Sequence, residues 1–224
     1  MNLKRILSYF IPIKVYEIDS EINKSLEVTW NNGQLVLDSK NTNFSYGSLQ
    51  RVMRIALANI GSDVIKNYNS ALILGVAGGS VIKTLKEEFD FNGKITGVEL
   101  DKKTIEIANA YFGLNKLTDV EIINDDAQNF VTKTKAKYNL IIIDIFQDNI
   151  MPDFLFEKAF IAKLKLILTN GGSILFNTIA ELSIDYERNK KLELDLNNQF
   201  AFVKKITKVE GNNEIFIIKN EIIL

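Results

Sequence analysis

Residues 71–79 read ALILGVAGG, an apolar run that passes straight into a loop carrying Gly75, Gly78 and Gly79. A second run, residues 94–98, closes on Glu99 after an intervening segment with helical spacing (residues 80–89). Strand, tight glycine turn, helix, strand and acid follow one another here. That order builds a backbone crevice for an adenosine-bearing cofactor at the carboxyl ends of parallel strands.

Outward from this segment the alternation continues. Residues 102–112 have helical spacing with Ile105, Ala108 and Phe112 inward, 120–124 read as a strand, and 127–132 as a short helix. Residues 138–143, YNLIII, are so uniformly apolar that they are expected as the most buried, central strand. A helix over 153–168, a turn at Gly171-Gly172, a strand over 173–178 and a polar helix over 181–199 follow. The chain then reads as strand, turn and strand over 201–209, 211–213 and 214–219. Repeated β–α alternation predicts an open parallel sheet with helices on both faces. The last two strands are joined by too few residues for a crossover helix, so they must pair antiparallel.

Before the alternation lies a different pattern. In SLEVTWNNGQLVLD, residues 25–38, alternating apolar residues flank Asn31-Asn32-Gly33. Asn-Gly between alternating runs marks a hairpin, because a primed turn needs positive φ. A strand near residues 13–18 joins it, residues 41–47 read as a loop, and 48–60 as a helix stopped by Gly61. The expected organisation is an N-terminal antiparallel β unit over 1–47 and an α/β domain over 48–224. Trp30 and the phenylalanines are expected to fill cores.

Composition bounds the chemistry. The 224 residues carry a net charge of −1, and the chain lacks the basic balance of a nucleic-acid binder. No apolar run reaches the length of a membrane span, and no small-residue cleavage site follows the start, so a cytoplasmic protein without membrane or nucleic-acid partners is expected. Cysteine and histidine are both absent. Thiolate chemistry, Ser–His and Cys–His nucleophiles and the commonest zinc ligand are excluded with them, and no metal is expected. Catalysis must use Asp, Glu, Lys, Tyr, backbone groups or positioning.

A parallel sheet that ends in an antiparallel hairpin resembles class I S-adenosylmethionine-dependent methyltransferases, here over residues 48–224. The resemblance narrows to the spermidine synthase-like branch of that superfamily. It is carried by LEVTWNNGQLVLD, Ser45-Tyr46, Glu99-Leu100-Asp101, Asp126-Ala127 and YNLIIIDIF leading to Pro152. It implies a Rossmann-like methyltransferase fold: a mostly parallel seven-stranded sheet ending in an antiparallel hairpin, plus a small N-terminal β unit. The resemblance also implies S-adenosylmethionine, or its decarboxylated form, as the bound nucleoside. A homodimer through the N-terminal sheet is expected, since an isolated hairpin unit is marginal alone and the resembling enzymes associate in this way.

The candidate nucleoside site comprises Gly75, Val76, Ala77, Gly78 and Gly79, with Glu99, Leu100, Asp126, Ala127 and Asp144. Small residues in the loop let backbone approach a ligand, and the following helix offers N–H groups to an anionic part. Glu99 is placed to accept from the ribose hydroxyls; a solvated acid at a helix start is the alternative. The resemblance gives Asp126-Ala127 the adenine contacts, while Asp125 or Asp126 could instead cap the next helix. Asp101 is expected to cap the helix after Glu99. Asp144, at the end of the apolar strand, is the candidate to orient or deprotonate a nucleophile.

Where the resembling enzymes carry D-S/T-S/T-D, this chain has Asp144-Ile145-Phe146-Gln147-Asp148, and GVAGGS lacks the acid that binds their polyamine. A buried polycation needs several carboxylates. A methyltransferase acting on a small-molecule acceptor is therefore the leading expectation. A polyamine aminopropyltransferase and a catalytically inactive cofactor-binding subunit are the alternatives.

Overall fold

The computed structural model describes residues 3–39, 43–147 and 150–221. The chain begins with a short helix α1 (Leu3–Leu7), then strands β1 (Ile13–Ser20), β2 (Lys24–Asn31), β3 (Gln34–Ser39) and β4 (Asn43–Ser45), paired antiparallel in that order. Asn32 and Gly33 both take positive φ, 48° and 76°, between paired Asn31 and Gln34. The primed turn expected from Asn-Gly is therefore the one formed. The expected loop at 41–47 is partly replaced by β4, and residues 40–42 lie outside the described residues.

The second unit continues with α2 (Gly47–Ile60), α3 (Ser62–Lys66), β5 (Ser70–Leu74), α4 (Ser80–Glu88), β6 (Lys94–Glu99), α5 (Lys102–Phe112), β7 (Val120–Asn124), α6 (Ala127–Lys133) and β8 (Tyr138–Ile143). It closes with α7 (Lys158–Ile167), β9 (Leu168–Ile179), α8 (Ser183–Gln199), β10 (Phe202–Val209) and β11 (Asn213–Lys219). The seven strands run in the order β10-β11-β9-β8-β5-β6-β7, with β8 in the middle. β5 pairs parallel with β6 and β8, and β11 pairs antiparallel with β9 and β10. This is a Rossmann-like methyltransferase-type fold.

Burial follows the period of two that a covered sheet demands. Ala71 and Ile73 of β5, with Leu140 and Ile142 of β8, face α2 and α4 through Val52, Met53, Leu57, Ile82 and Leu85. Leu72, Leu74, Ile141 and Ile143 point the other way, onto Val131 of α6, Phe160 and Leu164 of α7, and Leu192 and Leu196 of α8. At about 1.5–3 kcal/mol per buried large side chain, these two layers dominate the stability of the sheet. A third cluster packs Leu26, Val28, Leu37, Phe44 and Tyr46 of the N-terminal unit onto Ile107 and Phe112 of α5.

Several local expectations are corrected. Gly171-Gly172 is not a turn between elements but a bulge inside β9: Tyr138 pairs with Leu168 while Leu140 pairs with Ser173. Gly171 takes φ 71°, which lets the strand absorb the extra residues without leaving the sheet. The helix expected from residue 153 opens with a 3-10 turn (Asp153–Phe156) and becomes α-helical only at Lys158, because Glu157 is extended. In α5 the inward residues are Thr104, Ile107, Ala108 and Phe112, with Ile105 half-buried, because the N-terminal sheet covers the face carrying Ile107. Trp30 is half-buried outside the clusters, and Phe10 is exposed. Phe91, Phe176 and Phe216 are core residues as expected. The polar helix α8 buries a narrow stripe: Asn189, Leu192, Asp195 and Leu196. Among the described residues no helix is long and apolar enough to cross a membrane.

Candidate active site

The strand order reverses at β5, whose carboxyl end lies beside that of β8. A doubly wound sheet opens a crevice at such a point, because the connections leave to opposite faces. Asp144 N–H donates to Leu74 O at 2.9 Å and Gly75 N–H to Val98 O at 3.0 Å, tying the ends of β8, β5 and β6 together. A Cβ on Gly75 would stand 2.1 Å from Asp144 O, and its φ is 88°. Only glycine permits this approach of the two chains.

Glu99 organises the loop that follows. Its Oε2 accepts from Val76 N (3.1 Å) and Ala77 N (3.0 Å), and its Oε1 from Asp101 N (3.0 Å). Burial raises its pKa above the usual carboxylate value, against the pull of those three N–H groups. It is thus a loop-shaping acid at the wall of the cleft and not a solvated one. A carboxylate has about four acceptor positions, and three of them are taken by these N–H groups.

The cleft is lined by Gly75, Ala77, Val98, Glu99, Leu100, Asp125, Asp126, Ala127, Asp144, Ile145, Phe146, Gln147, Pro152 and Phe154 from the α/β unit. Of the expected nucleoside residues it therefore gathers Gly75, Ala77, Glu99, Leu100, Asp126, Ala127 and Asp144. Val76, Gly78 and Gly79 stand outside the lining. The Val76 side chain is buried in the core, and only its N–H serves the site. A side chain at Gly78 would meet Ser45 and the Tyr46 ring, and one at Gly79 would meet Leu114. The first N–H of α4, on Ser80, is taken by Ser45 Oγ at 3.2 Å. That end of the helix faces the N-terminal unit, which takes one of its N–H groups.

Asp126 caps α6: its Oδ1 accepts from Asn129 N at 2.9 Å while the residue lines the cleft. Asp125 is held below the usual carboxylate range by the side chain of Asn129 and accepts from Asp126 N. Asp101 caps α5 through Lys103 N, and its other oxygen takes Ser20 Oγ (2.5 Å) and Asn23 Nδ2 (3.0 Å). That clamp fixes the β1–β2 turn, whose Ile22 and Asn23 form part of the wall.

The Asp144 carboxylate opens onto the cleft and, among the described residues, accepts one hydrogen bond, from Asn177 Nδ2 at 2.9 Å. Burial pushes its carboxyl up to about 6, the Asn177 amide pulling the other way. Among the described residues it makes no ion pair, and Asp148 lies outside them.

Of the far wall, sequence reasoning missed the contribution of the β10–β11 turn. Asn43, Phe44, Ser48 and Leu49 reach the cleft from the β4–α2 junction, and Glu210, Asn212 and Asn213 from the β10–β11 turn. Glu210 takes φ 48° and is gripped by Arg51 Nε and Nη2 at 2.9 and 2.7 Å. The signal for Glu210, Asn212 and Asn213 was a turn-forming EGNN stretch, which carries no sign that it faces a site. The cleft holds about 1110 Å³ of open space, including its solvent-facing mouth.

Residues 51–207 match the family model described as the spermine/spermidine synthase domain. The chain belongs to that family. Within the spermine/spermidine synthase domain family, one relative is described as a probable polyamine aminopropyl transferase of Bifidobacterium longum. It is 32% identical over 111 residues, 50% of this chain and 24% of that protein. A polyamine aminopropyltransferase of Vibrio vulnificus is 26% identical over 147 residues, 64% of this chain and 48% of its own length. The chain thus spans less than half the length of these curated relatives. Among solved structures, a probable spermidine synthase from Corynebacterium glutamicum superposes with a TM-score of 0.77 at 18% identity, covering 94% of this chain and 81% of its own. A spermidine synthase in complex with the transition-state analogue AdoDATO gives 0.76 at 19%, covering 94% and 75%. At these identities the superpositions establish the fold.

Proposed function

We propose that this protein is a transferase moving an aminopropyl group from decarboxylated S-adenosylmethionine to an amine on a small acceptor. The observation that carries this is the family match over residues 51–207, which takes in the glycine loop, Glu99, the Asp126 corner and Asp144 of one cleft. The named relatives support aminopropyl transfer over the methyl transfer that the residue pattern favoured.

The cleft suits the nucleoside. Gly75 and Ala77 leave backbone exposed for close approach, Glu99 has a remaining acceptor position, and Leu100 and Ala127 offer apolar contact for a ring beside Asp126. Bound there, the sulfonium supplies an electrophilic carbon whose bond to sulfur breaks as nitrogen attacks, leaving a neutral thioether. Asp144 does the proton work. An acceptor amine near neutral pH is an ammonium and must lose a proton to become a nucleophile. A carboxylate that titrates at about 6 is ionised at pH 7 yet basic enough to take that proton. Ile145, Phe146 and Phe154 beside it line the cleft with apolar surface, keeping water from the reacting pair.

A second reading, methyl transfer, is supported by the steric closure at Gly78, where an acid in the loop would strike Ser45 and Tyr46. One experiment separates the two. The protein is incubated with either donor and a panel of mono-, di- and triamines, and products are read by mass spectrometry. Aminopropylated product from the decarboxylated donor alone supports the proposal; methylated product from S-adenosylmethionine alone refutes it.

A further inference from the structure

Asn177 lies in β9 directly behind Asp144 and is fully buried. Among the described residues its Nδ2 gives the Asp144 carboxylate its one hydrogen bond, while its own Oδ1 is buried with no partner. A buried acceptor without a donor is costly, so such an atom calls for a use elsewhere in the working cycle. The strand around it is fixed: Asn177 pairs with Ile215 of β11, and its neighbour Phe176 with Ile143 of β8. What can move is the end of the side chain. A carboxamide is planar and carries donor and acceptor at nearly equivalent positions, so half a turn exchanges them without disturbing the backbone.

We propose that Asn177 is a positioning residue for Asp144 whose carboxamide turns over with the protonation state of that acid. Nδ2 donates to the carboxylate before proton transfer, and Oδ1 accepts from the carboxylic acid after it. The inference rests on Asp144 being the proton acceptor of the proposed reaction. The consequence is directional. Once Asp144 holds the proton its O–H is engaged by Oδ1 and aimed away from the acceptor, which cannot readily take it back. The surroundings leave this role to the amide. β5 and β9 contain no titratable residue; the loops after β6 and β7 bring Glu99, Asp125 and Asp126 to the cleft, and the β10–β11 turn brings Glu210, itself held by Arg51. All four are acids, and among the described residues the hydrogen bond to the Asp144 carboxylate comes from Asn177.

The test follows the Asp144 carboxyl carbon and the Asn177 side-chain amide by NMR through a pH titration of the full chain. Asp144→Asn assigns the carboxyl signal. In the unaltered protein the Asn177 amide protons should shift with the same midpoint as Asp144, near 6. They should stop titrating in Asp144→Asn. In Asn177→Leu the Asp144 midpoint should rise by about one unit, a tenfold gain in proton affinity, because a charge-assisted hydrogen bond lost from the carboxylate outweighs a neutral one lost from the acid. Asn177 amide signals that ignore the Asp144 titration overturn the inference, whether or not the leucine variant folds. So does a folded Asn177→Leu whose Asp144 midpoint stays in place. These readouts need no turnover, so failure of the transfer reaction would count separately, against the proposed function.

Discussion

Replacing Asp144 by asparagine should stabilise the fold near neutral pH while slowing transfer to a residual rate. Burial raises the Asp144 pKa from the usual 3.8 to about 6, so the folded chain binds that proton more tightly than the unfolded chain. A carboxyl shifted in this direction contributes its full stability below about pH 4. The contribution falls as pH climbs between the two pKa values and stays lost above about pH 6. The gap is about two units at ~1.4 kcal/mol each, an upper bound of ~3 kcal/mol. Asp144 opens onto the cleft, where solvent screens part of the cost, so about 1–3 kcal/mol is expected. The asparagine amide keeps the volume, carries no charge and can donate to Asn177 Oδ1, which has no donor among the described residues. Urea unfolding of both proteins at about pH 4 and pH 7.5 measures the difference. The variant should be more stable at the higher pH, with the advantage shrinking toward zero at the lower. An equal gap at both values, or a less stable variant at pH 7.5, would refute the assignment of Asp144 as a buried carboxylate held above its ordinary pKa.

Other outcomes follow from the same geometry. The rate of transfer under limiting acceptor should rise with pH through a midpoint near 6 as Asp144 ionises, and Asp144→Asn should remove that limb from the pH–rate profile. Gly75→Ala places a methyl 2.1 Å from Asp144 O at φ 88°. A loss of about 2–4 kcal/mol is expected in thermal unfolding, with weakened nucleoside binding even where the protein folds. Glu99→Gln sets an amide among three N–H donors, at least one of which must go unpaired. Calorimetry should show at least tenfold weaker nucleoside binding and a stability loss of about 1–3 kcal/mol. Arg51→Ala breaks the ion pair with Glu210 at the cleft mouth, where the arginine is largely exposed. Stability should change by under about 1 kcal/mol, and a larger loss in urea unfolding would show the pair to be a structural brace.

The chain's local patterns specified its layers. The uniform run at 138–143 placed β8 at the middle of the sheet, because a strand covered on both faces has no position left for a polar side chain. Asn32-Gly33 set the β2–β3 hairpin, and the short link between the last two strands required the antiparallel end. The glycine loop, Glu99 and Asp144 were legible for a related reason. They sit where apolar strands stop, and strand ends collect the polar groups that a crevice exposes.

Tertiary packing decided the rest. Val76 turns into the core and Gly78 against Ser45, so the loop residues divide between structure and cleft according to what stands behind each one. Asp101 became a clamp because it meets Ser20 and Asn23, some eighty residues earlier in the chain. Glu210 reaches the site only through a turn that folds back across the sheet, and Asn177 matters because one strand pairing sets its amide against Asp144. Hydrophobic period and turn chemistry act over a few residues, and sequence records them directly. The distance between two side chains far apart in the chain depends on how every intervening element packs, and no local pattern carries it.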